Sequence, residues 1–247
     1  GGQLRMGLCS LDESQWLQPD PDVSARKAGF AAFPQGVQSI RYAEDPGREL
    51  AAMLGVEGGL SEAAAAYHED MCLLKKFAGE DFYRLIGAAV AWPTDWHPKD
   101  KMGLPLAAMH APIQGYAEQL ASGVDHFMTK LKPGRIFGRC NWFIAPTAER
   151  RWIAGSPERD FAGITAENAG QRLFVRSERQ TLRRLPETGA ILFTIGVYVA
   201  PLDELTNANV AMLSQSVGDL IEGEGERRSA HHFAGALMSY NAMRERN

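Results

Sequence analysis

The sequence predicts an α+β fold in which a small antiparallel sheet is covered by helices. Three observations lead there. Apolar residues recur at helical spacing through most of the first 131 positions. At Pro133-Gly134 the texture turns short, aromatic and β-rich. Helical patterning then returns after Leu202. A doubly wound sheet is excluded, because strands and helices alternate too sparsely and no glycine-rich phosphate loop follows a strand.

Taken in order, the first hundred residues read as a mainly helical flank. Ser61 to Phe77 is rich in Ala and Leu and ends near Gly79. Asp81 to Trp92 reads as a second apolar helix, broken by AWPTDWHPKD, where Pro93 and Pro98 cannot sit inside a regular helix. From Tyr116 to Leu131 the apolar positions Leu120, Val124, Phe127 and Leu131 mark an amphipathic helix. The sheet-containing core spans 101–202. Its strands are Arg135 to Ala145, Leu173 to Leu182 and Ala190 to Val199, the last two joined by a turn with Pro186 and Gly189. Two helices, Leu202 to Ile221 and Arg227 to Arg246, split by GEGE, complete 203–247.

The 247 residues can bury a substantial core in one domain. A net charge of -4 gives no general attraction to phosphate backbones or anionic lipid, which argues against nucleic acid and membrane partners. Three widely spaced cysteines, Cys9, Cys72 and Cys140, fit neither a disulfide framework nor a paired-ligand zinc site, and read as reduced thiols of a cytoplasmic protein. No apolar run approaches the roughly 20 residues that span a bilayer, and the opening lacks the pattern of a secretory signal.

Of the six histidines, His68 and His126 sit among charged neighbours, where a solvated surface position is the default. His97 lies in a Pro-bounded loop, and the adjacent His231 and His232 fall in the last helix, pointing in different directions. His110 differs. It ends the run Gly103-Leu-Pro-Leu-Ala-Ala-Met-His110 and is followed by Pro112. Two readings fit such a histidine: an axial haem ligand, which needs a dry wall beside the ring, or a buried histidine satisfied by one hydrogen bond. No C-x-x-C-H attachment is present, so any haem is held non-covalently.

The second constellation is RSERQTLRRLPETG, from Arg176 to Gly189. Strand alternation puts Arg176, Glu178 and Gln180 on one face, Arg179 and Thr181 on the other. A carboxylate between an arginine and an amide suits proton delivery or capture of a cationic amine, and equally a solvated face stitched by ion pairs. Arg183 and Arg184 suit haem propionates, or plain surface charge at a turn. No nucleophile elbow or H-E-x-x-H occurs, and Cys72 reads as core rather than nucleophile.

The stretches KMGLPLAAMHAPIQGY and RSERQTLRRLPETGAILFTIGVYVAPL resemble the haem-binding subunit of the haem-dependent oxidative N-demethylases, also described as dimethylamine monooxygenases. MGLCSLDESQWL and HEDMCLL are similar in a weaker way, so the likeness runs over nearly the whole chain. The resemblance implies a single PAS-like haem-binding domain over 1–247. It implies that His110 ligates the haem iron, and it points to Glu178 as the acidic residue near oxygen and substrate; Arg176 would then orient Glu178 or the oxygen ligand. It further implies dioxygen as co-substrate, electrons from separate flavin and iron-sulfur reductase partners, and oxidative demethylation of a small secondary amine, dimethylamine-like, to the primary amine and formaldehyde. The alternative is a haem-based gas-sensing or ligand-binding module without turnover. Family members often carry Ile-Arg-Thr-Tyr where this chain has Ile195-Gly196-Val197-Tyr198, which bears on specificity.

Overall fold

The structure is a computed structural model that describes residues 6–19, 22–111, 117–220 and 222–246. It is α+β. Seven antiparallel strands form one sheet: β1 (Cys9–Leu11), β2 (Val37–Ser39), β3 (Asp70–Lys75), β4 (Arg84–Ala89), β5 (Ile136–Ala145), β6 (Phe174–Arg184) and β7 (Ile191–Pro201). Their order is β1-β5-β6-β7-β3-β4-β2. The helices are α1 (Val23–Ala32), α2 (Glu44–Met53), α3 (Leu60–Ala66), α4 (Leu106–Met109), α5 (Ser122–Lys130), α6 (Pro157–Asp160), α7 (Ala169–Arg172), α8 (Asn207–Gly218), α9 (Glu222–Arg227) and α10 (Ala234–Arg244). A π-helical turn, Ala117–Ala121, runs into α5.

The long hairpin β6–β7 and its neighbour β5 stand where the sequence predicts them. They are rich in β-branched and aromatic residues, and the turn between β6 and β7 is well signalled. Gly189 takes φ +69°, which favours glycine. Glu49 of α2 clamps this turn: its carboxylate accepts from the Glu187 and Thr188 amides at 2.7 and 2.9 Å.

The first hundred residues are not a helical flank, for they supply four of the seven strands. Ser61 to Phe77 breaks after Ala66, and the Cys72 segment becomes β3 rather than helix; Asp81 to Trp92 contains β4. Both strands lie inside the sheet, away from its edges, and are buried on both faces. Such strands lose the alternation that would announce them and read as continuous apolar runs. The GEGE segment lies inside α9, and the helical breaks fall on either side of it, after Gly218 and at residues 228–233, with His231 and His232 in a single 3-10 turn. Tyr116, the predicted start of the amphipathic helix, and Pro112 lie outside the described residues.

One sheet face packs through Met71, Leu73 and Leu192 against α2 and α3. The other carries Cys72, Leu74, Leu182 and Ile191 beneath α4 and α5. A third cluster joins α8 and α10 to Ile144 and Leu173. Among the described residues no helix is long and apolar enough to cross a membrane.

Candidate functional site

The face beneath α4 and α5 encloses a cavity of about 660 Å³, within the roughly 300–1,000 Å³ of small-molecule and cofactor pockets. Leu120, Val124 and Met128, four residues apart along the π turn and α5, form one wall. Cys72, Leu74 and Phe193 form the apolar floor. Asn141, Glu178 and Gln180 add polar groups to that floor. Both non-glycine residues with positive φ among those described, Asp95 (56°) and Ser229 (54°), lie on the cavity wall. Strained backbone of this kind gathers at functional sites.

His110 stands in the wall, at the C-terminal end of the short helix α4. Its Nδ1 donates to the Leu106 carbonyl at 2.9 Å, since a carbonyl can only accept. That bond fixes the tautomer and puts the lone pair on Nε2, the arrangement seen in ligating histidines. Burial pushes the His110 pKa below its ordinary value, helped by the positive charges of Arg139, Lys101 and Arg227 and opposed by the Leu106 hydrogen bond. The ring is thereby biased to its neutral form.

Opposite elements hold Glu178. β6 alternation brings Arg176, Glu178 and Gln180 to one face, as the sequence predicts, and register pairs Glu178 with Asn141 and Val197. Thr94 donates its hydroxyl to one Glu178 oxygen, and the Gln180 amide donates to the other at 2.9 Å. Gln180 in turn accepts from Arg139 Nε at 2.8 Å. Arg176 is fully buried and does not line the cavity. It reaches Thr94 Oγ1 at 2.7 Å and the Trp92 and Pro93 carbonyls at 2.9 and 3.2 Å. Burial pushes its pKa down to about 10 against the pull of Glu178 and Asp70.

The structure does not bring Arg183 and Arg184 to the cavity. Arg183 follows strand alternation to the far face, where it stacks over Trp16 at 4.1 Å and pairs with Glu13 at 2.5 Å. Arg184 is on the near side but is spent on the Leu131 carbonyl (2.6 Å) and the Tyr83 hydroxyl (2.9 Å). Among the described residues, the cations that do line the cavity are Lys101, Arg139, Arg227 and Arg228. Glu224 holds the last two, at 2.8 and 3.0 Å, and Arg228 also packs over Phe143 at 4.8 Å. The Arg227 hydrogen bond, joined by the Arg228 bond and opposed by burial, keeps that carboxyl down at about 2. Neither these cations nor Thr94 stand out in the sequence as site residues. Alternation along β5 would show Arg139 and Asn141 facing Gln180 and Glu178, whereas no local signal marks Thr94 in its Pro-bounded loop.

His68 is buried rather than solvated: its Nε2 donates to the Val197 carbonyl at 3.0 Å and its ring lies 4.7 Å from that of Tyr198. Gly196 faces this same group, where an added Cβ would meet His68 Cδ2 at 3.3 Å. The departure at Gly196 is therefore on the sheet face away from the cavity. His126 is exposed. Among the described residues no three His, Cys, Asp or Glu side chains are grouped to hold a metal ion.

A mostly apolar cavity on a sheet face, with a histidine biased to its neutral form, a held carboxylate and a cationic rim, defines an α+β protein built to bind a small molecule or cofactor. Residues 50–236 match the family described as haem-dependent oxidative N-demethylase, alpha subunit-like, and the chain belongs to that family. The match runs from α2 to α10 and includes every described cavity-lining residue except Met6 and Leu8. The description is that of a haem-dependent oxidative enzyme and of one subunit within a larger assembly.

Proposed function

We propose that this chain binds haem in the cavity through His110 and takes part in oxidative N-demethylation of a small secondary amine of the dimethylamine type. The observation that carries the reading is His110: a half-buried, neutral-biased imidazole in the cavity wall, its Nδ1–H committed to Leu106 and its lone pair on Nε2. One such donor is what the protein would need to supply to a haem iron. The residues present fit the group. Leu74, Leu106, Val124, Met128 and Phe193 offer an apolar lining, and the positive charges of Lys101, bonded to the Met109 carbonyl, and Arg139, bonded to Gln180 and the Met6 carbonyl, face its carboxylates.

Bound haem supplies the activation of dioxygen, with electrons from separate flavin and iron-sulfur partners, that oxidises an N-methyl carbon and releases formaldehyde. The protein's part is positioning. Glu178 is 7% exposed and borders the cavity with both oxygens accepting hydrogen bonds, so its charge is available to an ammonium group or to a proton in transit. Arg176 acts on it at one remove, through Thr94. The apolar walls exclude water and raise the strength of these charges.

The test is the visible absorption spectrum after haem reconstitution, with and without reductant, followed by a formaldehyde assay with dimethylamine. Wild type is expected to bind haem and release formaldehyde. His110→Ala is expected to lose haem or its normal spectrum, and Glu178→Gln to keep haem but lose most turnover. A wild-type chain that takes up no haem, or an unaltered spectrum in His110→Ala, would remove the cofactor assignment. Haem binding without formaldehyde would favour a gas-sensing or ligand-binding module.

A further inference from the structure

We propose that Thr94 is a positioning residue for Glu178, and that the 91–95 loop is built to present its hydroxyl to that carboxylate. The inference rests on the reading of Glu178 as the carboxylate that meets the amine.

The direction of each hydrogen bond is settled by chemistry. Arg176 Nε can only donate, so Thr94 Oγ1 accepts from it at 2.7 Å. The hydroxyl proton is then directed to Glu178 Oε1. Gln180 is oriented in the same manner: its Oε1 accepts from Arg139, which turns its amide nitrogen toward Glu178 Oε2 at 2.9 Å. Two arginines thus reach one carboxylate through two neutral relays. Direct pairing would spend the charge of Glu178 within the protein. The relays hold both its oxygens, and among the described residues no direct ion pair cancels that charge.

The loop carrying Thr94 is fixed at several points. Asp70, paired with the buried Arg26 at 3.1 Å, accepts from the Ala91 and Trp92 amides at 2.8 and 3.0 Å. Arg176 takes the Trp92 and Pro93 carbonyls. Thr94 is bridged to Trp152, the Asp95 amide donates to the Trp152 carbonyl at 2.7 Å, and Asp95 itself holds φ 56°. A non-glycine residue kept at positive φ is sustained by its surroundings. Here those surroundings fix the residue next to Thr94.

The experiment compares wild type, Thr94→Val, Thr94→Ser, Thr94→Ala and Glu178→Gln as haem-reconstituted proteins. Dimethylammonium binding is measured by calorimetry, and the Glu178 carboxylate band is identified by infrared difference between wild type and Glu178→Gln. Thr94→Val, isosteric but without the donor, is expected to bind about tenfold more weakly and to move the carboxylate band. Thr94→Ser, which keeps the hydroxyl, is expected to restore both. Should Thr94→Val not fold, Thr94→Ala makes the same deletion without a new methyl group. An unmoved band, or unchanged binding in the Thr94 variants while Glu178→Gln binds weakly, overturns the proposal and leaves the role of Glu178 standing. Unchanged binding in Glu178→Gln overturns the role of Glu178, and the proposal with it.

Discussion

Replacing Arg176 by lysine retains the charge and removes the planar fork, which separates geometry from electrostatics at the base of the site. The guanidinium donates from all three of its nitrogens: to Thr94 from Nε, to Glu149 from Nη1 at 3.3 Å, and to Trp92 and Pro93 from Nη2. A single ammonium nitrogen cannot stand in all these places. If lysine forfeits two of these hydrogen bonds, each about 1.5 kcal/mol at the low end for charged donors, the variant is about 3 kcal/mol less stable. At roughly 2–4 °C per kcal/mol for a chain of this size, the melting midpoint falls by about 6–12 °C. Calorimetric or circular-dichroism melting at fixed pH measures it. Coupling provides a sharper check, because Arg176 and Thr94 share a hydrogen bond and Arg176→Lys combined with Thr94→Val should depart from additivity by about 0.5–3 kcal/mol. A midpoint within about 2 °C of wild type, or strict additivity, would refute the claim that the fork supports this loop.

Other expectations concern titration and access. In the haem-free protein the His110 ring should titrate below 6.5, followed by nitrogen-15 NMR. Since the folded chain then binds fewer protons than the unfolded one, this site contributes stability that is full above that value and is lost as pH falls through its lowered folded pKa; a midpoint at or above 6.5 would contradict the burial argument. Glu224 is depressed from 4.5 to about 2, so its contribution is full above 4.5 and disappears as pH drops toward 2. The urea-unfolding difference between wild type and Glu224→Gln should therefore shrink with acid, and a difference that stays constant from neutral pH to below about 3 would rule this out. Cys9 and Cys140 are exposed while Cys72 is buried, its thiol pushed up by burial and by Asp70. A thiol reagent should label the first two rapidly and Cys72 only on unfolding, and rapid labelling of all three would show the floor of the cavity to be open.

What can be read from the sequence depends on how each segment meets water. β5, β6 and β7 carry alternating or aromatic patterns bounded by Pro133-Gly134 and by the Pro186–Gly189 turn, and each is legible. β3 and β4 read as helix instead, because MCLL and LIGAAVA are apolar on both faces and hold no period of two. The face of Glu178 follows from alternation alone. The fate of Arg184 does not: parity puts it on the cavity side, and only the packing of α5 reveals that the Leu131 carbonyl captures it.

By itself, then, the order of residues determined the α+β class, the long hairpin of β6 and β7, the side of β6 on which Glu178 lies, and the resemblance centred on His110. These are local properties, written in periodicity and in motifs of neighbouring residues. The tertiary structure alone decided which cations surround the cavity, that Arg183 leaves it, and that Thr94 stands between Arg176 and Glu178. Those groups are 82 and 84 residues from Thr94 along the chain. Such pairings follow from strand order and loop closure, which no short stretch of sequence encodes.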